Sequence, residues 1–120
     1  MGRIRTIKPE TPHSERLAKC SREARYCFIM TWTVADDSGR ARAASRLLAS
    51  LLFPFDEDAP NLIDGWLKEL ETVDLVKLYT IDGVRYLQIT NWLENQKIDK
   101  PSKSHIPPFD EPSTNPRRRT

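Results

Sequence analysis

Few side chains in this 120-residue chain could do covalent or acid–base chemistry. His13 and His105 are its only histidines, and both lie in polar, proline-flanked stretches. Cys20 and Cys27 are its only cysteines. Carried on one helix, they would sit about 10.5 Å apart along its axis, beyond the reach of a disulfide. With Cys20 in a preceding turn, that restriction is looser. No Cys/His cluster has metal-ligand spacing, so both thiols are expected to be reduced and buried, as in a cytosolic protein. Asp36-Asp37 could ligate a metal, but with Ser38-Gly39 behind it the pair reads as the stop of a helix. Asp56-Glu57-Asp58 lacks the other ligands of a calcium loop. Neither a phosphate-cradling glycine-rich loop nor a nucleophile elbow is present. The expectation is a protein that is not an enzyme and carries no metal or cofactor.

What remains is charge, and its distribution is uneven. The net charge is +2. Residues 1–25 hold seven Lys/Arg and three acids, residues 26–90 hold six and ten, and residues 91–120 hold six and four. The two ends are basic and the middle is acidic. Basic arms suit phosphate contact. The candidate DNA contacts are Arg3, Arg5 and Lys8 in the first arm, Arg40, Arg42 and Arg46 after the Gly39 turn, Arg85 in a later strand, and Lys97, Lys100 and Lys103 in the second arm.

The elements that must position these cations are organised around Ala24–Ala35. Ala24, Cys27, Phe28, Thr31, Trp32 and Ala35 share one helical face, and Tyr26, Ile29, Met30 and Val34 take much of the rest. Such a helix must be covered on several sides. It is too short for a membrane span, which needs about 20 apolar residues. Ser21 is its expected N-cap. Before it, residues 13–19 can form a short helix with Leu17 inward. Ahead of that lies an arm, residues 1–12, with Ile4 and Ile7 as anchors; its first nine residues have no apolar run of the secretory kind. After Gly39, residues 40–43 suit an edge strand. Ser45 is the expected cap of a second helix with Leu47, Leu48, Leu51 and Leu52 buried and Arg46, Ala49 and Ser50 outside, ended by Phe53-Pro54. A third helix opens at Pro60-Asn61. Ile63, Trp66, Leu67, Leu70 and Val73 face inward on it, and Asn61, Asp64, Lys68, Glu69 and Glu71 face out.

Asp82-Gly83 between two alternating runs is a strong hairpin signal. A two-residue loop sets Ile81 opposite Val84, Tyr79 opposite Tyr86, Leu78 opposite Leu87 and Val76 opposite Ile89. Val76, Leu78, Leu87 and Ile89 then form the core face. The other face, Tyr79, Ile81, Val84 and Tyr86, is too apolar to be left bare. The arm, the segment after Leu93 or another subunit is expected to cover it. Those four residues are the candidate protein-interaction set. Trp32, Trp66 and Trp92 read as core, with Trp92 the one that could stack on a base. Residues 94–120 form a polar, basic, proline-rich tail, disordered from Pro112 onward.

This order of elements is that of an α+β winged helix-turn-helix: a three-helix core, a small strand and a β-hairpin wing at residues 13–93, between two extended basic arms. The segments Arg3–Glu10, Ala35–Arg40, Leu52-Phe53-Pro54, Tyr86–Ile89 and Gln96–Pro101 resemble, in this order, a family of bacteriophage and prophage replication proteins. These are similar to the N-terminal winged helix of replisome organisers and DnaD-like primosome proteins. The resemblance covers residues 3–107. It implies a winged helix that binds DNA in replication or its initiation, in the cytoplasm of a host bacterium, with no membrane attachment. Longer members carry a second domain that this chain does not reach.

One feature of the sequence opposes the usual docking mode. Residues 56–74 hold seven acids and one lysine, so the third helix is not expected to enter the major groove as a recognition helix does. The competing expectation is a protein-interaction or oligomerisation module that dimerises, recruits a replication protein or blocks a host factor, with little direct DNA contact.

Overall fold

The computed structural model describes residues 2–98 and 101–109. A 3-10 turn at Thr11–His13 precedes α1 (Glu15–Ala18), α2 (Arg22–Val34), β1 (Arg40–Arg42), α3 (Ser45–Leu52), α4 (Ala59–Thr72), β2 (Val76–Ile81), β3 (Val84–Ile89) and α5 (Trp92–Asn95). The architecture is α+β, with helices packed on a three-stranded antiparallel sheet of order β1-β3-β2. No helix among the described residues is long and apolar enough to cross a membrane.

α2 is the spine of the core. Ala24, Cys27, Phe28, Thr31 and Trp32 on it are buried, as is Ala35 just beyond it. Ser21 caps its start, accepting the Ala24 N–H at 3.1 Å. Glu69, on α4, completes that cap by accepting the Ser21 N–H at 2.7 Å and its hydroxyl at 2.9 Å. Glu69 therefore turns toward α2, against the outward placement expected from helical spacing. Glu71 likewise accepts the Leu78 N–H. Glu69 satisfies a donor at the start of α2, and Glu71 one on the open edge of β2; a helical wheel shows neither.

α3 departs from expectation in two ways. Ala44, not Ser45, is its N-cap, and the Ser45 hydroxyl instead donates to Asp64. Its buried stripe is Leu48, Ala49 and Leu52. Leu47 and Leu51 remain 42% and 53% exposed. The helix is rolled so that the small Ala49 allows close approach, leaving two leucines outside.

The hairpin has the expected register at every position, from Val76↔Ile89 to Ile81↔Val84. Asp82 and Gly83 both have positive φ, 53° and 79°, the signature of the type I′ turn that fits a twisted hairpin. Arg40–Arg42 is an edge strand as expected, paired only with β3.

Ile4 is 99% exposed and Ile7 more than half so, so neither anchors the arm. Polar groups hold it. The Arg3 N–H donates to the Thr33 carbonyl at 2.7 Å. Thr6 and Gln96 exchange backbone-like hydrogen bonds: the Thr6 N–H to Oε1 at 3.2 Å, and Nε2 to the Thr6 carbonyl at 2.8 Å.

The chain's own tail reaches the outer face of the hairpin at Tyr79. The Tyr79 hydroxyl donates to the Pro107 carbonyl at 2.6 Å, and the Phe109 ring meets Tyr79 edge-on at 5.6 Å. Of the covers expected for that face, the segment after Leu93 is seen to reach it, at Tyr79. The expected disorder from Pro112 onward lies outside the described residues.

Candidate nucleic-acid interface

Three stretches far apart in sequence converge on one groove of about 500 Å³. The arm contributes Arg3, β1 contributes Arg40 and Arg42, and the tail contributes Lys103 and His105. Leu47, Leu48 and Leu51 of α3, with Val34 and Ala41, line its apolar part. Asp36 and Asp37 are the two carboxylates in its wall.

Both carboxylates are occupied. Asp36 Oδ1 accepts the Ser38 and Arg40 N–H groups, closing the turn, and its Oδ2 accepts the Ser104 hydroxyl. Asp37 is buried and accepts from Arg5 Nη2 at 3.3 Å and from the Ser102 N–H at 2.9 Å, with Arg3 Nη1 3.5 Å away. The Ser102 N–H, and after it the two arginines, hold the Asp37 carboxyl below the usual carboxylate range against the opposing effect of burial. Ser102 and Ser104 thereby fasten the tail at two points, and Lys103 lies between them at the rim.

The expected cation set divides. Arg42 and Lys103 are exposed and have no partner among the described residues, and Arg3 is half-exposed. These three can reach a phosphate. Arg46 and Lys97 are also exposed and unpartnered among the described residues, but they lie outside the groove lining. Lys8 is exposed and donates to the Glu94 carbonyl at 3.0 Å, on another part of the surface.

Three members are committed to the fold instead. Arg5 has only 7% of its side chain exposed. It donates to the carbonyls of Trp32 and Ala35 at 3.0 and 2.8 Å, so it is an internal tie and not a DNA contact. Arg40 donates to Gln88 Oε1 and to the Ile106 carbonyl, bridging the sheet to the tail. Arg85 is bonded to Asp64 and to the Ala43 carbonyl, and is not part of the groove lining. Lys100 lies outside the described residues. A count of basic residues could not separate these cases, because each depends on an acceptor distant in sequence.

The other expected set changes as well. Tyr79, Ile81, Val84 and Tyr86 are half-buried, and the Pro107–Phe109 segment lies on Tyr79. Tyr79, at least, is already occupied by the chain's own tail. Trp92 is buried with its Nε1 donating to the Asp37 carbonyl, which removes it as a base-stacking platform. Cys20 and Cys27 are free and buried, and burial pushes the Cys27 thiol up to about 11.

Comparison of the chain with protein-family models, curated proteins and solved structures returned no match. The groove's own chemistry, with the sequence resemblance described above, carries the functional reading.

Proposed function

We propose that this chain is a DNA-binding winged-helix protein of the bacteriophage replication type, contacting DNA through the groove rim. The observation that carries the reading is the convergence of Arg3, Arg42 and Lys103, from three separate regions, beside one groove. Two of them have no partner among the described residues, so phosphate contact breaks no ion pair there. The element order and the β1-β3-β2 sheet support the winged-helix assignment. α2, α3 and α4 stand as the three helices and β2–β3 as the wing.

α4 contributes little to this contact. On its outer flank Lys68 is paired with Glu71 at 3.8 Å, and Asp64 is held by Arg85 and Ser45. The rim cations would follow the phosphate backbone and leave base edges unread. The expected binding is sequence-tolerant and strongly salt-dependent.

The test is fluorescence anisotropy on duplex and single-stranded oligonucleotides, over a range of salt, for the natural chain and an Arg3→Ala/Arg42→Ala/Lys103→Ala variant. Each neutralised phosphate contributes a slope of about −0.9 on duplex DNA, so loss of three contacts should flatten the slope by about 2.7. Unchanged affinity and slope in the variant would remove the groove from the model.

A further inference from the structure

The α3 wall of the groove and the loop beyond it carry a second property, an apolar one, that phosphate contact does not explain. Leu47 and Leu51 face solvent on α3, and Phe55, three residues past its end, is 96% exposed. Exposed apolar residues scattered singly need no explanation, but a contiguous patch marks an interaction surface. Next to Phe55 stand Asp56, Glu57 and Asp58, none with a side-chain partner among the described residues. At the other end of α3 stand Arg42 and Arg46, also without partners there. α3 is eight residues long, about 12 Å. One short helix thus has exposed leucines along its middle, free cations at its start and a free acidic-aromatic loop after its end.

We infer that this face pairs with a second copy of the chain, α3 against α3, antiparallel about a two-fold axis passing between Leu47 and Leu51. The charge pattern argues for this occupant. Turning α3 end for end lays the Phe55–Asp58 loop of each copy against the Arg42 and Arg46 of the other, so both complementary pairs form at once. The leucines of the two copies meet at the axis, and each Phe55 is carried toward the partner's groove beside Leu47. Such a contact is isologous and closes at two subunits. A parallel arrangement would set like charges together at both ends, which is repulsive.

The surface differs from the hairpin face expected from the sequence for oligomerisation, where the tail already occupies Tyr79. The pairing draws on Arg42, which the DNA reading also uses, so dimer and phosphate compete for that side chain; sedimentation without nucleic acid tests the pairing alone, so its failure is distinguishable from failure of the DNA reading.

The test is sedimentation velocity of the full chain over a concentration series at low and high salt. The expected result is a reversible monomer–dimer equilibrium that weakens as salt rises. Leu51→Lys should weaken it by roughly tenfold or more, and so should the pair Arg42→Glu/Arg46→Glu, on the scale of close interfacial charge pairs. Adding Asp56→Lys/Asp58→Lys to that pair should restore association to within about threefold of the natural chain, because the same contacts re-form with signs reversed. These positions are exposed, and circular dichroism checks that each variant is folded. A monomer at every concentration overturns the inference. So does an open-ended series of larger species, or a four-fold variant that fails to recover.

Discussion

The Arg5 guanidinium lies over the Trp92 ring, 4.9 Å from its centroid. The same group reaches Asp37 and two carbonyls of the α2 C-terminal end, and Trp92 itself donates to the Asp37 backbone. Arm, turn and α5 are therefore one polar junction. Arg5→Ala should lower stability by about 2–4 kcal/mol, since it strands two carbonyls and removes a cation–π contact. Arg5→Lys should recover little of this, because an ammonium cannot reproduce the planar fork. Urea denaturation checks both, and a Lys variant as stable as the natural chain would refute the account.

Gly39 approaches the same junction from below. Its φ is 81°, and a Cβ there would stand 2.6 Å from Trp92 Cγ. Trp92 is buried and hydrogen-bonded, so it cannot step aside. Gly39→Ala should cost about 3 kcal/mol, combining left-handed strain with overpacking. Thermal denaturation would show the loss, whereas Gly83→Ala, with nothing within 4 Å, should show the strain alone.

Acid should loosen this junction. The Asp37 carboxyl is held below its ordinary value, chiefly by the Ser102 N–H. A lowered folded value stabilises the fold above the unfolded value of about 3.9, and that contribution is lost as pH falls through the folded value. Stability should therefore decline from about pH 5 downward. Asp37→Asn should have a shallower decline, though not a flat one, because Asp64 and Asp74 are lowered in the same way by Arg85 and Lys77. Denaturation midpoints measured across the acid range test this, and parallel curves for the two proteins would exclude Asp37 as a contributor.

At the alkaline end the reporter is Tyr79. Burial pushes its hydroxyl up to about 12. A chain ended at Ile98 loses the Pro107–Phe109 cover, so Tyr79 should ionise near the ordinary value of about 10. Spectroscopic titration of the tyrosines in both chains decides the matter. The shortened chain should also bind a hydrophobic dye more strongly, through the bared Tyr79–Tyr86 pair.

The thiols should be inert while the chain is folded. Cys27 is raised to about 11, chiefly by burial, and Cys20 is raised by burial and by Glu69. Thiolate is the reactive form, so a disulfide reagent should label neither cysteine without denaturant. Rapid labelling of the native chain would contradict the packing described.

The sequence by itself determined what depends on neighbours along the chain. The Ser21 cap, the buried face of α2, the left-handed Gly39 turn into β1 and the full hairpin register follow from periodicity and from turns whose φ angles few residues accept. Only the tertiary structure decided which charges are free. Arg5 and Arg42 read alike in the sequence, yet one is sealed under Asp37 and the other stands in solvent. The roll of α3, which buries Ala49 and exposes Leu47 and Leu51, was likewise settled by how closely α3 could approach the rest of the core. Local rules fix each element's own geometry. The role of a long polar side chain is fixed by acceptors that folding brings to it from tens of residues away.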